Sequence, residues 1–392
     1  MLLPGPRSES GTGSGVAFGG GWTMRDRIGF LSLLGLAFLV ALFFSFGLAQ
    51  VLGASGIKAP RTNLDVLELF QSRLADVEAT GGIAFLGDST AMSGQGRQYT
   101  IPGRLGALLG EQAGGPPVVS LAEAGLGPMD FYLLASEVAE ARPSAVVLSV
   151  NMAALSHVWT QRLSHPEFAS VIGGERWLSA FGLPPVVNAV KADRLFLYPV
   201  LEALGLRGAW QAIHRYQALV LQAWRDLGTA IGAGDGPWTR PGGIAHEFAS
   251  IKEAKDQKAL LQEILRVQQW NRYGKAIQGV EGEDPSLQII AAALEPWARA
   301  DIPVLVVVIP INIELIDQLG IDDPVGRMRT VRALAGIARS VDARFLDLHT
   351  LLPEESFADW QGHYSLDPTP GAPSLIAESM VPVLASMVQE DR

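Results

Sequence analysis

The chain holds several short apolar runs that do not alternate with polar residues, and this limits its fold more than any other feature. Ile83 to Leu86, Ala145 to Val150 and Ile302 to Ile309 are continuous and rich in Val, Ile and Leu, and weaker runs occur at Pro117 to Leu121 and Arg344 to Leu348. A strand with one wet face alternates in polarity. A strand without alternation is covered on both faces, as in parallel sheets. Apolar residues at helical spacing lie between the runs: Leu64, Val66, Leu67, Phe70 and Leu74 before the first, then Phe131 to Ala141, Leu287 to Ala300 and Met328 to Val341. The alternation predicts an α/β fold, a three-layer doubly wound parallel sheet.

Composition removes several function classes. The 392 residues are 48% hydrophobic and 18% charged, enough to bury a substantial core. A formal net charge of −10 argues against phosphate-backbone binding, so no nucleic-acid partner is expected. There is no cysteine, which excludes disulfides, thiolate nucleophiles and Cys-ligated zinc. His157, His165, His214 and His246 are scattered, and His246-Glu247 lacks the second His of a zinc helix, so neither metal nor cofactor is expected.

The N-terminus predicts the compartment. Residues 1–27 read as a flexible cytoplasmic segment, and Gly11-Thr12-Gly13-Ser14-Gly15 follows no strand, so it carries no nucleotide-loop reading. Residues 28–52 are apolar and exceed the roughly 20 needed to cross a bilayer as a helix. Arg25 and Arg27 precede them, which predicts a cytoplasmic N-terminus and an extracytoplasmic remainder at the cytoplasmic membrane. Gly47 and Ala49 leave a cleaved signal peptide as the alternative, and Met24 is an alternative start. Residues 53–79 then form a tether and a lead-in helix.

Each strand end offers chemistry. Gly87-Asp88-Ser89 follows the first run, with small residues able to open a helix behind it, and makes Ser89 a nucleophile at the sheet edge. Gly125 follows the second run, where its N–H can approach a substrate closely; a turn glycine is the plain alternative. Asn151 follows the third, and Asn312 the fourth, as cleft-lining carboxamides or helix caps. Asp359 and His363 lie four apart near the C-terminus, spaced to meet on one helical face. His349, just past the last strand, is the competing base, with a structural place at the sheet edge as its plainer use.

Taken in order, these residues resemble the SGNH (GDSL-like) hydrolases over about residues 80–155 and 290–388. The resemblance implies a flavodoxin-like core in which Ser89 attacks an acyl carbonyl, His363 accepts its proton and Asp359 orients the imidazole. It also implies an oxyanion hole formed by the Ser89 and Gly125 N–H groups and the Asn151 side chain. A serine hydroxyl needs an adjacent imidazole, and the imidazole needs a partner that fixes its tautomer. The chain departs from the pattern at Thr90 (usually Leu), Ser120 (often Asn) and Met152 (often Asp). The Asp/His spacing is also four where three is common, which leaves Glu355 and Asp367 as alternative acids.

The segments 80–155 and 287–392 form the two core parts, separated by residues 156–286, an insertion of about 130 residues. Helical patterns at 194–204, 210–231 and 253–276 make it a helical subdomain or a cap over the catalytic edge. An anchor, an SGNH-like core and a large insertion together are similar to the membrane-anchored branch of alginate O-acetylation and D-alanyl-lipoteichoic acid transfer proteins. That branch implies acyl transfer onto a cell-envelope or exopolysaccharide hydroxyl beside a membrane-bound O-acyltransferase. Hydrolysis of acyl esters and a non-catalytic glycan-binding or assembly role are the alternatives.

Overall fold

The computed structural model describes residues 63–93, 96–113, 115–156, 259–359, 361–366 and 370–390, with Ser32 and Leu33. The chain divides into two compact units at Ala59 and Pro60; of the first, only Ser32 and Leu33 are described, as helix. Apart from Ser32 and Leu33, the predicted membrane segment lies outside the described residues, as do the tether and the insertion from residue 157 to 258. Among those described, no helix is long and apolar enough to cross a membrane.

The second unit is an α/β structure around a five-stranded, all-parallel sheet in the order β2-β1-β3-β4-β5. The strands are β1 (Ile83–Leu86), β2 (Val118–Ser120), β3 (Ala145–Val150), β4 (Val304–Val308) and β5 (Arg344–Asp347). β1, β3 and β4 are buried at every position, which is why their sequences are apolar without alternation.

Strand side chains point alternately to two separate cores. Ala84, Leu86, Val146, Leu148, Val306 and Val308 enter the first; Ile83, Phe85, Ala145, Val147, Leu305 and Val307 enter the second. The first core is closed by α1 (Asn63–Thr80), α3 (Pro128–Glu140), α4 (Ala259–Gln278), α5 (Pro285–Arg299) and α7 (Pro324–Ser340). The second is closed by α2 (Ile101–Ala113) and α8 (Ala372–Glu390). Helices therefore cover both faces of the sheet. Trp297 on α5 is fully buried and its indole N–H donates to Ala135 O on α3 at 2.7 Å, pinning the two helices over the first core.

Helix starts follow their caps. Asp284 accepts from Ser286 N ahead of Pro285, and Asp323 accepts from Val325 N and Gly326 N ahead of Pro324. Three differences from the sequence reading stand out. No helix opens directly behind Ser89. Residues 89–92 instead form successive turns, with Ala91, Met92 and Ser93 N–H bonding back to Asp88, Ser89 and Thr90 O, and α2 begins only at Ile101. α2 and α8, together with the short α6 (Ile313–Gln318), are helices that apolar periodicity did not single out. The expected helix over residues 253–276 is described from Ala259 and runs on to Gln278.

Candidate active site

The site grows from the end of β1. Gly87 leaves the strand where a Cβ would lie 2.9 Å from Ala91 Cβ and 3.2 Å from Ser149 Cβ, so only glycine lets the turn fold against β3. Glu123 N–H donates to Gly87 O at 3.1 Å, continuing the β1–β2 ladder past both strands. The Asp88 carboxylate then shapes the turn, accepting from Thr90 N at 2.9 Å and from the Thr90 hydroxyl. Ser89 sits half-buried beside it.

Asp359 and His363 do meet, though on a loop instead of the helical face their spacing implied. An antiparallel bridge between Phe357 and Tyr364 closes that loop, and Ala358 N–H donates to His363 O at 2.7 Å. Gly362 makes the turn with φ at +89°, a conformation glycine adopts without strain. Asp359 Oδ1 accepts from Gln361 N at 2.9 Å and His363 N at 3.1 Å. That leaves Oδ2 for the imidazole, at 2.7 Å from His363 Nδ1. His363 Nε2 is 3.1 Å from Ser89 Oγ. Ser89, His363 and Asp359 thus form a continuous chain of hydrogen bonds. Burial pushes the Asp359 carboxyl up, but the bonds from the His363 ring and the two amides outweigh it and hold the group below the usual carboxylate range.

The two loop acids that competed with Asp359 separate. Glu355 is exposed on the single turn Glu354–Ser356, and Asp367 lies outside the described residues. His349 belongs to a different cluster. Its Nδ1 is 2.6 Å from Asp347 Oδ1, and its Nε2 accepts from Arg327 Nη1 at 2.7 Å. Arg327 is in turn held by Asp322 through two bonds of 3.1 Å. Both ring nitrogens are occupied, and the side chain is buried at the end of β5.

The three residues expected to face an oxyanion all follow strand ends at one sheet edge. Asn151 is buried after β3, with Oδ1 accepting from Ala153 N at 3.0 Å and Nδ2 donating to Asp88 Oδ2 at 3.2 Å. An amide with an N–H at one end and a carboxylate at the other has only one consistent orientation. It keeps one Nδ2 hydrogen in hand. Gly125 occupies the turn after β2 with φ at +84°. Among the described residues, neither the Ser89 nor the Gly125 N–H meets an acceptor. Asn312, by contrast, caps α6 by accepting from Leu315 N. At the departure positions, the Ser120 hydroxyl contacts Met92 Sδ at 3.7 Å, and Met152 is buried.

Sequence reasoning missed the residues behind the triad. Tyr364 is buried, donates to Pro310 O at 2.9 Å, and titrates well above its usual value through burial and the Asp88 charge. α4, which overlaps the helical pattern read over residues 253–276, brings Tyr273 to the site. The Tyr273 hydroxyl stands 2.9 Å from where a Cβ on Gly362 would lie, so the tyrosine packs against the Asp359–His363 loop. Its hydroxyl is pushed up by burial, and the Arg272 guanidinium offsets part of that rise. Among the described residues, no group of three or more His, Asp or Glu side chains is arranged to hold a metal ion. The sequence matches no protein-family model and no curated protein.

Proposed function

We propose that the chain is a serine acyl-ester enzyme of SGNH type. The observation that carries the reading is the Ser89–His363–Asp359 chain of contacts at 3.1 and 2.7 Å. Ser89 Oγ attacks an acyl carbonyl as its proton passes to His363 Nε2, while the imidazole is held by Asp359. The negative oxygen that forms is met by the Ser89 and Gly125 N–H groups and the spare Asn151 amide hydrogen. The ester C–O bond then breaks, the departing alcohol takes the proton from His363, and an acyl-Ser89 remains. A second hydroxyl gives its proton to His363 and attacks that acyl group, which restores Ser89.

Within this class, the particular reading is O-acyl transfer, of acetyl above all, onto a cell-envelope or exopolysaccharide hydroxyl on the outer side of the cytoplasmic membrane. It rests on the arginine-preceded apolar segment of residues 28–52 and on the long insertion between the two core parts. A membrane-bound O-acyltransferase would supply the acyl group. Fluorophosphonate labelling of the full-length protein tests the class: Ser89→Ala and His363→Ala abolish it, whereas an unlabelled wild-type protein refutes a competent nucleophile. Acetyl-ester turnover with and without added glycan tests the particular reading, since release of acetate at the same rate without glycan makes the protein a hydrolase.

A further inference from the structure

β2 lies at one margin of the sheet, and among the described residues no strand pairs with its outer side. A parallel strand in that place turns the N–H and C=O of every second residue away from its neighbour, and where the chain is buried those groups need another partner. The ladder with β1 runs on past β2, through Leu121 N–H to Phe85 O at 2.7 Å and Glu123 N–H to Gly87 O at 3.1 Å. Ala122, between them, turns its carbonyl outward, and Ala122 is fully buried. Its partner comes from α1: Arg73 Nη1 donates to Ala122 O at 3.3 Å. Arg73 shares a helical face with Phe70 and Val77, both buried in the first core, so packing of α1 sets where its side chain starts.

The turn that follows carries Gly125, and the amides on either side of it are all engaged. Ala124 N–H donates to Glu123 Oε1 at 3.2 Å and Leu126 N–H to Glu123 O at 3.4 Å. Gly127 N–H donates at 3.0 Å to Oδ2 of Asp130, which is fully buried in the first turn of α3. The turn is thus held at its start by Gly87 and Arg73 and at its end by Asp130, and among the described residues the Gly125 N–H alone in it meets no acceptor. A donor stabilises developing charge most when it is fixed beforehand, since a turn that must order during the reaction loses part of the gain.

We propose that Arg73 is a positioning residue, which from α1 fixes the turn of residues 122–127 and with it the Gly125 N–H. The proposal rests on the acyl-ester reading for its effect on rate and on the hydrogen bonds for its effect on the turn. Because the Gly125 N–H is aimed at the oxygen that becomes negative in the transition state, loosening the turn lowers kcat and leaves KM nearly unchanged. Losing one such donor outright costs about 10²- to 10³-fold, and a donor still present but less firmly held costs about tenfold.

Arg73 is only partly buried, which makes it replaceable on α1. In the full-length protein, Arg73→Met is compared with wild type by hydrogen-exchange mass spectrometry and by turnover of a small acetyl ester. The peptide over residues 121–127 is expected to exchange about tenfold faster or more, while peptides over β3 and α5 keep their rates. kcat falls about tenfold at nearly constant KM, and Arg73→Lys, which keeps a charged donor, recovers part of both losses. If Arg73→Met does not fold, Arg73→Ala is read in its place. A side chain that only stabilises α1 would raise exchange along that helix and lower melting without changing kcat. Unchanged exchange over residues 121–127, exchange raised equally along α1, or an unchanged kcat with a loosened turn each overturns the proposal. A wild-type protein that neither turns over the ester nor takes the fluorophosphonate label overturns the acyl-ester reading, while exchange over residues 121–127 still decides whether Arg73 holds the turn.

Discussion

Asp359→Asn is the substitution that most sharply tests the candidate triad, because the structure separates what the carboxylate does for the loop from what it does for the base. Oδ1 is occupied by the Gln361 and His363 N–H groups, and an Asn oxygen can take the same two bonds. Oδ2, 2.7 Å from His363 Nδ1, becomes an NH₂ group, which is a donor. The imidazole must then present a bare Nδ1 and carry its proton on Nε2, facing Ser89 Oγ at 3.1 Å. A base that already holds a proton cannot accept the one from serine. The same change in a serine-protease triad costs about 10⁴-fold in kcat, or about 5.4 kcal/mol in the barrier. We expect a loss of that order in acetyl-ester turnover and in fluorophosphonate labelling, with KM nearly unchanged and melting lowered only slightly. Glu355→Gln, at an exposed position, should retain wild-type rates. An Asp359→Asn protein within about tenfold of wild type would refute Asp359 as the orienting acid and point to Asp367.

Gly362→Ala should damage the site through the loop: the new Cβ meets the Tyr273 hydroxyl at 2.9 Å and the residue must keep φ at +89°, so labelling falls more than tenfold while circular dichroism stays native. An unaffected labelling rate would refute the tight Tyr273 contact. Acid stability follows from the carboxylates: Asp359 and Asp347 both sit below their ordinary value of 3.8 in the fold, each because hydrogen bonds from a neighbouring histidine outweigh burial. A depressed folded value means the stabilisation is fully present above the unfolded value and is lost as pH falls through the folded one, so melting temperature should drop below about pH 4. Asp347→Asn should flatten that drop, and an unchanged slope would show that the Asp347–His349 pair contributes nothing to it.

How much could be read from sequence depended on whether a residue's environment was local. The strands were legible because burial on both faces leaves no polar position, so Ala145 to Val150 and Ile302 to Ile309 contain β3 and β4 almost residue for residue. α2 was not, because Pro102, Gly103, Gly106 and Gly110 mimic a loop. Gly103 is there for a tertiary reason, since a Cβ would lie 2.0 Å from Arg97 O. α8 did carry a signal in Ile376, Met380, Leu384 and Met387 at helical spacing, with Pro373 and Pro382 obscuring it. The Asp359/His363 spacing of four predicted a meeting on one helical face. A four-residue separation meets on a helix, but here Gly362 and the Phe357–Tyr364 bridge bring the two together on a turn.

Tyr273 carries the deeper point about that site. Nothing in the local pattern of α4 marks it. What makes it matter is that its hydroxyl comes to rest against the Gly362 turn, in the loop that carries Asp359 and His363. Asp88 is fixed by Thr90 and Asn151, and Asp359 by Gln361 and His363. The order β2-β1-β3-β4-β5 gathers the ends of β1 and β3 at the centre of one sheet edge, and the loop of Asp359 and His363 reaches Ser89 there. The site is therefore a property of the assembled edge and not of any one segment, so only the fold reveals that Tyr273 packs against the loop of Asp359 and His363.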